Sequence, residues 1–158
     1  MTKADQLAAA LDDLLAVSPD VEAAAIVSAD GLPMASALPP YVEEDRLAAM
    51  SAALLTLGER AAVGLGKGDL AQVFVEGTQG YVVLMAAGEN AVLVAVTSRS
   101  AKVGLVLFEM RKTAETVSAV MEEPSPSAAA AQQSAPAPIT APEPTPAAET
   151  ESTVSGWQ

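Results

Sequence analysis

Cysteine and histidine are both missing from this chain, and aromatic residues are scarce: two Phe, two Tyr and one Trp in 158 residues. Without cysteine there is no disulfide framework, no thiolate nucleophile and no thiolate metal ligand. Without histidine, zinc sites and imidazole acid–base catalysis also lose their commonest residues, so no metal, no cofactor and no catalytic residue is expected. Basic residues are few as well. Eight Lys and Arg stand against twenty Asp and Glu, a net charge of −12, which leaves nucleic acid or an anionic membrane little to bind. No uninterrupted apolar run approaches the ~20 residues of a membrane span. The opening MTKADQLAAALDD turns acidic where a secretory leader needs apolar sequence. A soluble cytoplasmic protein without direct membrane insertion is expected.

Apolar residues make up 51% of the chain, but 34 of them are Ala, so the core is expected to be thin and closely packed. The composition changes after Glu123. Residues 124–158 hold seven Pro, nine Ala, nine Ser or Thr, three Glu and no Lys or Arg, a mixture that cannot bury enough surface to offset the entropy of ordering it. The expected organisation is one folded domain, 1–123, followed by a disordered Pro/Ala/Ser/Thr-rich tail, 124–158. Eight basic and seventeen acidic residues fall within the domain, so the acidity belongs mainly to it.

The domain's periodicities are clear. Thr2 is placed to cap a helix with Asp5 in its first turn, and Leu7, Leu11, Leu14 and Leu15 form its apolar stripe. Ser18-Pro19-Asp20 ends it. Val21–Ser28 and Leu32–Leu38 then read as a hairpin about Ala29-Asp30-Gly31, with Pro33 suiting an edge strand. A second helix begins near Glu43-Glu44-Asp45 and runs to about Val63. Three strands follow, Leu70–Glu76, Tyr81–Ala87 and Ala91–Thr97, of which the last, like Val21–Ser28, is apolar on both faces and belongs at the sheet centre. A final helix spans about Ala101 to Glu123, with Val103, Val106, Leu107, Met110, Ala114, Val117 and Met121 on one face. The order α-β-β-α-β-β-β-α predicts an α+β fold, a five-stranded antiparallel sheet sandwiched by helices.

Few features invite chemistry. Gly64-Leu65-Gly66-Lys67-Gly68-Asp69 contains Gly-Lys, but Ala61 stands where a phosphate loop has its first glycine, Gly68 replaces Ser or Thr, and a helix rather than a strand precedes it. A flexible turn is the simpler reading. The acidic pairs Asp12-Asp13 and Glu122-Glu123 and the triplet Glu43-Glu44-Asp45 are adjacent on helices, about 100° apart, so they do not converge on one bond. Arg99, in the loop before the last helix, either acts in trans on transferring phosphate or simply leads into the helix. Trp157 is either the anchor of a docking motif in the tail or incidental.

The second helix says more. Leu47, Met50, Leu54, Leu57 and Ala61 recur at spacings of three and four, and beside them runs a stripe of mostly small residues, Ala48, Ser51, Ala52, Leu55, Gly58 and Ala62. Either the whole wide face packs on its own sheet, or one stripe does and the other meets a second copy. The strand carrying Val73, Phe74 and Val75 favours the second reading, because it starts a meander and has no Pro or Lys to block pairing.

VEAAAIVSADGLPMAS, VFVEGTQGYVVLMAAGENAVLVAVT and AKVGLVLFEMRKTAETV together resemble Roadblock (dynein-light-chain-like) domains, the family that includes bacterial MglB-type small-GTPase regulators. The resemblance covers about Lys3 to Glu123. It implies a Roadblock/longin/profilin-like fold and a homodimer built through the second helix and third strand, with Leu47, Met50, Leu54, Leu57, Val73, Phe74 and Val75 on the dimer face. It also implies a small Ras-like GTPase as partner, acted on by docking against the GTPase's own catalytic loops; Arg99 and Trp157 are the candidate partner contacts. The expectation is a regulator or scaffold that is not itself an enzyme. A small-ligand sensor and a purely structural dimerisation domain are the alternatives, and the tail is no part of the family pattern.

Overall fold

The structure, a computed structural model, describes residues 2–123. Helix α1 (Lys3–Val17) is followed by β1 (Val21–Ser28), β2 (Pro33–Ala37), α2 (Glu44–Gly64), β3 (Gln72–Gly77), β4 (Gly80–Ala86), β5 (Ala91–Ser98) and α3 (Val103–Glu122). The strands form one antiparallel sheet in the order β2-β1-β5-β4-β3. Its central strands β1 and β5 are buried along most of their length, as continuous apolar runs require. Pro33 lies on the edge strand β2, where a missing N–H interrupts no central ladder.

Because side chains alternate across a strand, β1 and β5 feed two cores at once. Ala24, Ile26, Leu93 and Ala95 join Leu7, Leu11 and Leu14 of α1 and Val106, Met110 and Val117 of α3 on one face. Ala25, Val27, Val92 and Val94 join Leu47, Ala48 and Leu55 of α2 on the other. The sheet thus lies between two helices and one, and the alanines of β1 let both helical layers approach closely. The β1–β2 turn also touches α2: Gly31, at φ +86°, holds a left-handed conformation 3.5 Å from the Ala52 Cβ, measured from where a Cβ of its own would lie.

The ends of the elements have local causes. Thr2 caps α1: Asp5 N–H donates to its hydroxyl at 3.2 Å, and Thr2 N–H returns a bond to the Asp5 carboxylate at 3.1 Å. Three expectations shift. Leu32 falls outside β2 and is exposed, because Ser28 closes the turn by accepting from Leu32 N–H. β3 starts at Gln72, two residues later than expected, since Leu70 packs beneath Gly58 of α2 instead of pairing. In α3, Thr113 and Val120 are buried while Val103, Leu107 and Met121 are only partly covered. Thr113 tolerates this because its hydroxyl donates to the Glu109 carbonyl one turn back, at 3.1 Å. The tail, residues 124–158, lies outside the described residues, and Trp157 with it.

Candidate functional site

Helix α2 divides its residues between two jobs. Ala48, Ser51 and Leu55 face the sheet and are buried, and a Cβ on Gly58 would come within 2.8 Å of Val73 Cγ2, so the small stripe lets the helix lie close. The buried Ser51 hydroxyl donates to the Leu47 carbonyl at 2.7 Å and needs no further partner. The neighbouring ridge stays open, with Met50 48% and Leu57 62% exposed and Leu54 half-buried between them. Only 22% of the helix's most apolar 18-residue window is buried. By length and composition α2 would also qualify as a membrane span, although Glu59 and Arg60 stand within the helix.

Beside this helix, β3 pairs with β4 alone, and its other edge faces no strand among the described residues. Val73 and Val75 pair with Leu84 and Val82 on the α2 side, whereas Phe74 points to the opposite face and stacks on Tyr81 with ring centroids 5.3 Å apart. Near the β3–β4 turn the sheet forms an open cavity of about 420 Å³, lined by Glu22, Val75, Tyr81, Val82 and Val96 among others.

The seven residues expected at a dimer face therefore separate. Met50, Leu57, Phe74 and Val75 are exposed and available. Leu54 and Val73 are partly covered by the protomer's own core. Leu47, at 7% exposure, is buried in that core, because it lies one turn before Ser51 on the sheet-facing side of the helix. Phe74 and Val75 leave opposite faces of one strand, so they cannot share a flat contact with α2, though both flank the same edge. Arg99 sits exposed in the β5–α3 turn, without an ion pair among the described residues. Sequence reasoning missed Tyr41 and Leu65, exposed apolar residues just beyond the two ends of α2. Their signal was present, as apolar residues outside a helix's stripe.

No group of three or more His, Cys, Asp or Glu able to hold a metal ion occurs among the described residues. The Asp5 carboxyl is held below its ordinary value by the Thr2 hydroxyl and then by the Thr2 backbone N–H, and it serves a helix cap. The distinctive chemistry of this surface is apolar association.

A five-stranded antiparallel sheet between one helix and two, with an open edge beside an apolar helix, defines a small α+β domain of the Roadblock/longin/profilin-like fold. Residues 4–97 match the Roadblock/LC7 domain, and the chain belongs to that family. It is 34% identical over 100 residues to the uncharacterized protein MJ1340 of Methanocaldococcus jannaschii, covering 63% of this chain and 87% of that protein. A Roadblock/LC7 domain from Streptomyces avermitilis superposes with a TM-score of 0.67 at 26% identity, over 71% of this chain and 94% of the other. MglB of Myxococcus xanthus superposes with a TM-score of 0.70 at 20% identity, over 75% and 90%.

Proposed function

We propose that this chain is a cytoplasmic homodimeric regulator or scaffold of a small Ras-like GTPase. The observation that carries the proposal is the unfilled apolar ridge of α2 lying beside the unpaired edge of β3. A second copy related by a two-fold axis answers both at once, pairing strand with strand and ridge with ridge. Membership of the Roadblock/LC7 family and the likeness of fold to MglB support a regulatory role. In this reading the dimer works by docking on the GTPase and ordering the GTPase's own catalytic loops, as the likeness to MglB-type regulators suggests, with Arg99 as a candidate contact.

The test is retention of a GTPase from native cytosol on the immobilised full chain, with GDP in one arm and a non-hydrolysable GTP analogue in the other. The expected result is one small GTPase, held preferentially in one nucleotide state. Its absence from both arms overturns the GTPase assignment and leaves structural dimerisation. Whether hydrolysis is accelerated is then read from phosphate release with the purified pair.

A further inference from the structure

Helix α2 is longer than the sheet beneath it is wide. Near its start the Glu44 carboxylate accepts from the Ser36 hydroxyl of β2 at 2.6 Å, and farther on Gly58 sits over Val73 of β3. Those are the two edge strands, so the helix crosses the whole sheet. From Glu44 to Gly58, at ~1.5 Å per residue, it advances ~21 Å, close to the four strand spacings of ~4.8 Å between the edges. Residues 59–64 then carry it past the β3 edge by a further ~9 Å, about two spacings. This overhang has no sheet of its own beneath it. Val63 and Leu65 are 65% and 75% exposed, Ala61 is exposed beside them, and Ala62 is covered only in part. Its end is nonetheless closed by backbone bonds, Leu65 N–H donating to the Ala61 carbonyl at 3.0 Å and Lys67 N–H to the Ala62 carbonyl at 2.7 Å. A helix draws most of its stability from what packs against its apolar residues, and the protomer supplies little there.

The sheet has the converse feature. In the open cavity of about 420 Å³ at the β3–β4 turn, Val75, Val82 and Val96 lie side by side on β3, β4 and β5. They are on the α2 face, since Val82 borders the core under α2 and the register sets Val75 and Val96 on either side of it. Helix α2 leaves them open because it reaches β3 at Val73, two residues before Val75. Charge matches as well. Residues 60–68 carry Arg60 and Lys67 and no acidic residue, whereas the one charged residue lining the cavity is Glu22.

A two-fold axis perpendicular to the sheet brings these features together. Pairing β3 antiparallel with its copy about Phe74 sets Val73 of one strand opposite Val75 of the other, with both α2 helices on one face. An overhang that leaves its own sheet at Val73 then passes over the other copy's β3 and β4, where Val75 and Val82 form the cavity floor. Resting on the homodimer reading above, we propose that residues 61–65 of each copy seat in the β3–β4 cavity of the other, so that each cavity is completed only in the dimer.

The chain has no cysteine, so introduced thiols report without background. The experiment treats the full chain carrying Ala61→Cys and Val82→Cys with a short bismaleimide, beside each single variant, and follows the same samples by sedimentation velocity. Covalent dimer is expected from the pair and little from either single variant. Leu65→Ser, at a position the protomer leaves exposed, is expected to keep its thermal midpoint and to weaken self-association about tenfold. A chain that sediments as a dimer, yet gives no covalent dimer from the pair and is indifferent to Leu65→Ser, overturns the seating and leaves the homodimer standing. Covalent dimer from Ala61→Cys alone, as much as from the pair, also overturns it, because the helix ends then meet each other. An unaltered chain that sediments only as a monomer removes the homodimer and the seating together.

Discussion

Asp5 owes its lowered pKa to hydrogen bonds from the hydroxyl and backbone N–H of Thr2, with no help from burial. A carboxyl whose folded pKa lies below its unfolded value contributes stability that is fully present above the unfolded value and is lost as pH falls through the folded one. The cap of α1 should therefore weaken as pH falls below the ordinary carboxylate range. Asp5→Asn is expected to flatten that part of the acid limb in thermal melts followed by circular dichroism, while leaving the rest of the limb in place. Gly80 is a different kind of critical residue. An added Cβ would run into the Thr97 carbonyl oxygen, and pairing with both Gly77 and Ser98 keeps the backbone from moving aside. Gly80→Ala should cost about 2–3 kcal/mol in urea denaturation, the upper range for overpacking.

Among the elements, α2 depends most on small side chains. Gly58→Leu places a branched side chain where Val73 and Leu70 already crowd a single Cβ, and helix propensity returns only about 1 kcal/mol. The helix must lift from β3, so a net loss of about 1–3 kcal/mol is expected in the same denaturation assay. The elements were largely legible in the sequence, because a strand covered on both faces reads as a continuous apolar run and β1 occupies Val21–Ser28 as expected. Leu70 misled for a physical reason: a loop residue anchored under a helix is as apolar as a strand residue, and periodicity cannot separate them. The α2 ridge was legible as a stripe, but its loss of Leu47 to the sheet was not, because that depends on how the helix is rolled against the strands.

For the molecule as a whole, the alanine-rich layers leave large apolar side chains on the surface, and the dimer reading can be tested through the residue that the protomer itself uses least. Leu54 is a mixed probe: it packs against the core beneath α2, so Leu54→Asp would weaken the fold and any interface together. Leu57 is 62% exposed and contributes little to its own protomer, so Leu57→Asp should leave the thermal midpoint of an isolated domain nearly unchanged. In a two-fold contact, however, the substitution acts twice, placing an unpaired carboxylate from each copy in an apolar seam at a cost of about 3 kcal/mol or more. Sedimentation velocity should then report a monomer for Leu57→Asp at concentrations where the unaltered chain is a dimer. A Leu57→Asp chain that still sediments as a dimer would move the interface away from α2, to the β3 edge alone or to another face. Placing Lys on that edge at Phe74, whose side chain leaves the face away from α2, distinguishes these outcomes, since a charged side chain there opposes strand pairing without touching the α2 ridge.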